Sequence, residues 1–373
     1  MQDKSHAVRR QLQSLCAMAL LSPVLRLIPG SAAERGGRAA WAGPLAALPL
    51  LLLYVWALCR LRSRMREGES LPELSLRALG KGPGRALLLL YGAWLLLYAG
   101  FTLRAGADRF AVTIFPRSGA AVFVIPMGLL ALLAALGPFR SLLRLARMVE
   151  PLLLGVLFVI LLAAFRAADP TELLPLVPAD AGALVRSAWP ALDLVSFALV
   201  AFFFFFPAGG PEEGLFPRAG RWAAALSLLL TALGAAIQGR FGSALCARLA
   251  TPFFALVRNL VFFRSLERME ALVVGLWIFP DFLLTGLCLN AAQRCLRLGC
   301  GYTPREGERR LSMAQGRWLI WLGGTGATAL GLFLARDPAG LLLWSRGLIP
   351  ALSLSGALLL PGLCALGIAR KKL

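Results

Sequence analysis

Apolar residues in this chain come in long unbroken runs rather than in alternation or in narrow helical stripes. Ten runs stand out, at about 12–30, 41–59, 86–103, 118–137, 148–165, 188–207, 222–238, 269–291, 318–335 and 347–368. A helix needs about 20 apolar residues to cross the hydrocarbon core of a bilayer. The pattern therefore predicts an all-α, polytopic membrane protein with about ten transmembrane helices, in a single transmembrane domain over 1–373. The segment 240–268 is rich in apolar residues and also holds five arginines. It reads as interfacial helices packed over the bundle.

Two of the runs are interrupted. The first contains Ser22-Pro23 and Ile28-Pro29-Gly30; the sixth opens on Trp189-Pro190 and closes on Phe206-Pro207-Ala208-Gly209-Gly210. Proline removes a backbone donor and breaks the helical ladder. Backbone groups freed in this way must be buried in protein or face a wet cavity. Breaks at matching positions of two halves, about 11–166 and 188–368, predict a 5+5 inverted repeat with broken first and sixth helices and a site near the midplane. The competing reading is simple proline kinks, with Pro190 as a helix-start proline.

Composition agrees with a membrane protein and excludes other classes. Of 373 residues, 58% are hydrophobic and 16% charged, against roughly half and a quarter in soluble domains. The 39 Lys+Arg and 19 Asp+Glu give a net charge of +20. The densest basic segments are the loops 60–85 and 294–317, which place both termini in the cytoplasm by the positive-inside rule. The charge reads as topology and contact with anionic membrane lipid. Nucleic acid is not an expected partner, because no basic block carries the aromatic interleaving that single strands need. Basic residues before the first run mimic a secretory signal, but Pro23 and Arg26 inside the run argue against cleavage.

Few side chains carry chemistry. The seven cysteines form no Cys-x-x-Cys pair, and His6 is the only histidine. Neither a metal site nor a cofactor is expected, and no hydrolase or metalloenzyme constellation is present, so an enzyme is not expected. Gly80-Lys81-Gly82-Pro83-Gly84 lacks the order of a phosphate-binding loop and reads as a turn before the third span. Gly323-Gly324-Thr325-Gly326 reads as close helix packing.

Ionisable residues inside spans are costly and are functional candidates by default. Asp281, after Pro280, has Thr285 one turn further on the same face. It reads either as a cation, proton or ligand-amine site, or as the partner of Arg26 or another buried arginine. Asp193 reads either as a partner for a ligand ammonium or as an acid favoured in the first helical turn. Tyr98, Ser22, Ser196, Ser353 and Ser355 are weaker polar candidates. Ser22 sits at the first-span interruption, where half-helix ends favour ligand groups. Glu150, before Pro151, reads as the start of the fifth helix, with Arg147 paired to it across one turn.

The segment from Ala247 carries a more specific signal. It reads Ala-Arg-Leu-Ala-Thr-Pro-Phe-Phe-Ala-Leu-Val-Arg-Asn-Leu, then Arg264-Ser265-Leu266-Glu267-Arg268-Met269-Glu270-Ala271, then Gly275-Leu276-Trp277. Together with Ile28-Pro29, Trp41, Leu79-Gly80-Lys81, Gly84, Arg104, Asp108, Arg147 and Glu150-Pro151, it resembles the spore germination permease family. That family supplies the B subunit of nutrient germinant receptors in endospore-forming bacteria, and is similar to the amino acid–polyamine–organocation transporters. The resemblance spans about residues 10–366. It implies a germinant-sensing subunit of the spore inner membrane, with a membrane A subunit and a lipoprotein C subunit as partners. The ligand it implies is a small nutrient: amino acid, sugar or nucleoside. It also implies structural or gating roles for Pro29, Arg147, Glu150, Arg248, Pro252, Arg268, Glu270 and Trp277. Arg26 and the run Phe202–Phe206 depart from the family's pattern. The alternative function is an autonomous amino acid transporter coupled to protons or sodium ions.

Overall fold

The computed structural model describes residues 2–115, 117–174, 177–206, 208, 214–249, 251–260, 269–302, 317–334 and 338–371. Among these residues the secondary structure is entirely helical. The first half holds α1 (Gln2–Gly36), α2 (Gly43–Arg62), α3 (Leu71–Leu79), α4 (Lys81–Thr113), α5 (Ala121–Leu136) and α6 (Phe139–Arg166). The second holds α7 (Ala181–Ser187), α8 (Trp189–Phe205), α9 (Leu215–Arg248), α10 (Pro252–Asn259), α11 (Met269–Leu276), α12 (Ile278–Gly299), α13 (Arg317–Leu334), α14 (Pro338–Leu343) and α15 (Ile349–Lys371).

Seven helical stretches are long and apolar enough to cross a membrane, the first of them, Val8–Arg62, containing both α1 and α2. The shorter apolar helices Ala121–Leu136 and Trp318–Leu334 fall on two further runs of the sequence. The outer faces carry large side chains in the open, among them Leu53, Trp56, Leu90, Phe158, Leu322 and Phe333. An apolar surface of this kind is matched by lipid tails, not by water. The chain is a multi-pass membrane protein.

Local chemistry explains several element ends. Ser70 and Glu73 form a reciprocal capping box at the start of α3, satisfying donors that a helix start leaves free. Gly80, at φ 90°, turns the chain between α3 and α4. α9 changes direction at Gly242, whose φ of 71° a residue with a side chain rarely adopts. Helix α4 packs against α5, α12 and α13, while α8 is enclosed by α1, α2 and α15. Small residues permit the approach. A Cβ on Gly100 would lie 2.7 Å from the Ala327 carbonyl oxygen of α13, and one on Gly324 would lie 2.6 Å from Leu132 of α5. Van der Waals fit of this kind is what associates helices in lipid.

The two interrupted runs behave differently. α1 is continuous through both Pro23 and Pro29. The first-run prolines therefore delete ladder hydrogen bonds without unwinding the helix. The sixth run does unwind at its end. Phe206 is extended, and Ala208 exchanges two backbone hydrogen bonds with the α2–α3 connection: Gly68 N–H to Ala208 O at 2.6 Å, and Ala208 N–H to Glu69 O at 2.7 Å. Pro207 and Gly209–Gly210 lie outside the described residues. The expectation that Glu150 starts a helix needs correcting. α6 begins at Phe139, so Glu150 and Pro151 are interior to it. The helix extends past its apolar run through the charged turns Arg140, Arg144 and Arg147.

Candidate functional site

The centre of the bundle holds two adjoining polar groups. The first joins α1, α4 and α12. Asp281 is fully buried near the start of α12. Arg109 Nη1 donates to Asp281 Oδ2 at 2.9 Å, and Arg109 Nη2 donates to Ser22 Oγ at 3.1 Å. The Ser22 hydroxyl in turn donates to Asp281 Oδ1. Both carboxylate oxygens are thus engaged in a closed ring of three side chains. The Arg109 guanidinium also lies 5.1 Å over the Phe254 ring of α10. Thr285 does not join the ring, because its hydroxyl donates back to the Asp281 carbonyl oxygen at 2.8 Å. Of the two readings of Asp281, the geometry gives the pair with a buried arginine. That arginine is Arg109, not Arg26.

The second group joins α1, α4, α8 and α15. Tyr98 Oη and Arg26 Nε and Nη1 are buried without a hydrogen-bond partner, while Asp193 and Ser353 face each other as hydrogen-bonding neighbours. Arg26 stacks on Phe101, 4.8 Å from its ring centroid. The Tyr98 ring is clamped between Trp94 at 5.4 Å and Phe197 at 5.3 Å, so its hydroxyl is aimed by packing alone. Tyr98 is within electrostatic reach of both Asp193 and Arg26, and Ser353 is the polar neighbour of Asp193. Ser196 lies one turn beyond Asp193 and is buried as well. Ser355 is spent on the Leu352 carbonyl oxygen. Buried polar groups are almost always paired in folded proteins. Unfilled donors on Tyr98 and Arg26 beside the Asp193–Ser353 pair are the arrangement expected of a site that completes its hydrogen bonds with a ligand or water.

Asp193 is buried rather than decorating a solvated first turn, because α1, α2 and α15 enclose α8. A cleft with about 10 Å³ of free volume beside it is lined by Leu27, Ser31, Trp189, Asp193 and Arg346. That is room for about one water. Arg346 is held in place in this lining. It sits on a π-helical turn, Trp344–Leu348, and donates to the carbonyl oxygens of Ala247 and Leu249 at 3.2 and 3.3 Å.

The other sequence candidates fall into supporting positions. Arg147 pairs with Glu150, whose Oε2 also accepts from Ser14 Oγ at 2.8 Å, tying α6 to α1. Pro29 lines a narrow cleft with Trp41 and Gln238. Pro252 opens α10, and Phe253 and Phe254 pack on the fully buried Trp277, with centroids at 5.3 and 6.4 Å. Arg248 is exposed in the last turn of α9. Arg268 and the side chain of Glu270 lie outside the described residues.

Sequence reading missed Arg109, Arg62 and Arg294. The last two cap the unwound end of α8. Arg62 Nη1 donates to Phe206 O at 2.7 Å, and Arg294 Nη1 donates to Phe204 O at 3.1 Å. Terminal helix carbonyls carry partial negative charge and have no intrahelical donor, so a guanidinium suits them. Glu73 holds Arg294 at 2.8 Å. Part of the charge of the basic loops is therefore folded into the bundle's end. No cluster of three metal-ligating side chains occurs among the described residues.

The fold is shared with secondary transporters built on inverted repeats. A Na+-coupled sialic acid symporter, in a substrate-bound outward-open state, superposes with a TM-score of 0.57 at 13% identity, covering 94% of this chain and 78% of that one. Mhp1, a nucleobase-cation-symport-1 family transporter in a closed conformation with bromovinylhydantoin bound, superposes with a TM-score of 0.59 at 14% identity, covering 91% and 74%. At such identity the likeness speaks for the fold alone. No curated protein sequence matches the chain. Family and fold together point to a permease rather than an enzyme, and with residues 9–297 matching the family model described as spore germination protein, the chain belongs to the spore germination permease family.

Proposed function

We propose that this protein is the membrane-embedded subunit of a spore germinant receptor, which binds a small nutrient between α1, α4, α8 and α15 and thereby triggers germination. One observation carries the reading: the buried, partnerless donors of Arg26 and Tyr98 meet the Asp193–Ser353 pair where those four helices come together. The free space at Asp193 holds about one water, so a nutrient completes the cluster only in a more open conformation, and binding it shifts the bundle toward that conformation. An ion or solute path through the bundle is part of this proposal. So are an A subunit and a lipoprotein C subunit as partners, and residence in the spore inner membrane with both termini cytoplasmic. The halves 11–166 and 188–368 are proposed as the two repeats. Arg60 and Arg64 line a surface groove between α2 and α15 with Trp56 and Ile368, and this groove is where anionic lipid is proposed to contact the protein.

The test is deletion of the gene followed by germination of the purified spores on single nutrients. Loss of the response to one nutrient, restored by the wild-type gene and not by Asp193→Asn, supports the proposal. Wild-type germination on every nutrient in a strain without paralogues overturns it.

The second reading is a self-sufficient proton- or sodium-coupled amino acid transporter. Its support is the likeness in fold to a Na+-coupled symporter. Against it stands Asp281, whose two oxygens are already taken by Arg109 and Ser22. A guanidinium there occupies the place a coupling cation needs. Neighbouring A- and C-subunit genes favour the receptor; an isolated gene in a non-sporulating cell favours the transporter.

A further inference from the structure

We infer that an acyl chain of a bilayer lipid enters this protein between α5 and α6 and backs the Arg109–Asp281 pair from the lipid side. The two helices follow one another in the chain but part company in space. α5 packs on α4, α12 and α13, while α6 packs mainly on α1 and α9. Between them lies a cavity of about 240 Å³, lined chiefly by Leu103 of α4, Met127 and Leu130 of α5, Leu145 of α6, and Phe279 and Phe282 of α12. Every side chain lining it is apolar. Water needs two or more polar partners to settle in a cavity, and smaller apolar cavities than this one stay dry and bind apolar molecules. A cavity wall without a neighbour forfeits the dispersion contacts that close packing supplies.

The occupant follows from where the cavity opens. Leu130 is 52% exposed, and Leu129 and Leu133 beside it, with Met148 and Leu152 on α6, are exposed as well. The mouth is therefore continuous with the surface that faces lipid tails. The lining has no polar group to hold a headgroup, so only a tail enters. The volume equals roughly eight groups the size of a water, at about 30 Å³ each, which suits one slim hydrocarbon segment. Passing from bilayer to cavity gains no hydrophobic energy, so the chain is held by fit against the aromatic rings, as helices in lipid are held to one another. Met127 connects the cavity to the ion pair. Its Cε lies 2.8 Å from the place of a Cβ on Gly106, and Asp281 Oδ2 lies 2.9 Å from the same place. Phe279 and Phe282 flank Asp281 on α12. A chain in the cavity thus supports the wall that holds the carboxylate in place.

The experiment uses the purified full chain in glyco-diosgenin, a detergent whose bulky steroid offers no slim tail. Phosphatidylcholine with a diazirine in mid-chain is added; its neutral headgroup keeps charge out of the comparison. After illumination, adducts are mapped by peptide mass spectrometry. The wild type is compared with Leu130→Trp and Leu145→Phe, which fill the cavity from its two sides. Adducts are expected on Phe279 or Phe282 as well as on outer residues such as Leu133. In the variants the inner adducts are expected to fall on the order of tenfold, the effect of overfilling a packed space, while the outer ones persist. Either variant suffices if the other does not fold. Adducts on outer residues alone overturn the inference, and so do inner adducts equal in the wild type and the folded variants. Inner labelling by a diazirine-bearing decanol without inner labelling by the phospholipid assigns the cavity to a free apolar molecule and overturns the lipid chain as occupant. Melting temperatures read the effect on the ion pair. The lipid is expected to raise that of the wild type more than that of Asp281→Asn, where the supported carboxylate is gone. Equal gains, or none, overturn the support given to the pair.

Discussion

Arg109 and Asp281 stand 172 positions apart in the chain and 2.9 Å apart in space. The pair fastens α4 to α12, and Ser22 ties in α1. Removing one member of a buried pair leaves the other charged and unpaired, at a cost of about 3–5 kcal/mol. Asp281→Asn and Arg109→Gln are each expected to lower the unfolding temperature and to impair germination, with the protein still reaching the membrane. The double variant is expected to be more stable than either single one, because no orphan charge remains. Thermal unfolding of the three purified variants checks this. A double variant as damaged as the two losses added together would show that the residues do not act as a pair.

Gly106 of α4 leaves the space that Asp281 occupies. A Cβ there would sit 2.9 Å from Asp281 Oδ2 and 2.8 Å from Met127 Cε. The methionine end can yield; the carboxylate, held on both oxygens, yields less. Gly106→Ala is expected to destabilise by about 1–3 kcal/mol, the usual range for overpacking. Adding Asp281→Asn to it is expected to cost less than the same change in the wild type. Melting curves of the single and combined variants decide the point.

The sequence made Asp281 visible because a carboxylate inside an apolar run is conspicuous. Its partner was not visible. Arg109 lies past the end of the third apolar run, in what reads as a loop, and only the extension of α4 to Thr113 brings it inside. Asp193 looked like a first-turn acid because Pro190 marks a helix start. Its burial comes from α1, α2 and α15 closing around α8, packing between distant segments that spacing along the chain does not show. The Pro207 region announced the unwound end of α8, but Arg62 and Arg294 reach that end from distant parts of the chain, and spacing along the sequence carries no trace of such contacts. Long apolar runs report membrane helices because lipid imposes a length; pairing between helices has no comparable local rule.

The capped end of α8 makes a separate prediction. Arg62 and Arg294 supply donors to the Phe206 and Phe204 carbonyl oxygens. Arg294→Gln is expected to loosen this end and expose Ala208, which is otherwise held by Gly68 and Glu69. A cysteine placed at Ala208, in a background with the exposed Cys300 replaced, is expected to react several-fold faster with a maleimide in the Arg294→Gln protein. Equal labelling rates in the two backgrounds would remove Arg294 from any part in closing that end.

Orientation is open to direct measurement. The proposed orientation, with both termini cytoplasmic, rests on the basic loops 60–85 and 294–317 through the positive-inside rule. A reporter that is active only in the cytoplasm, fused after Leu373, is expected to be active. A second reporter that works only outside, fused at the same point, is expected to be silent. The reverse pattern would overturn the proposed orientation.

Tyr98 separates stability from function most cleanly. Its hydroxyl is buried and makes no hydrogen bond, while its ring is held by Trp94 and Phe197. Tyr98→Phe keeps the ring and deletes an unsatisfied polar group whose burial costs about 1–3 kcal/mol. The variant is expected to unfold at the same temperature as the wild type or higher. If the hydroxyl exists for a ligand, spores carrying Tyr98→Phe need a higher nutrient concentration to germinate, by roughly tenfold for one lost hydrogen bond of about 1.4 kcal/mol. A purely structural tyrosine gives the opposite combination: an unchanged nutrient requirement, because nothing but packing was altered and the packing is still there. Dose–response curves of germination set beside melting curves of the same variant distinguish the two, and a rise in stability with a loss of sensitivity is the outcome that only a ligand contact produces.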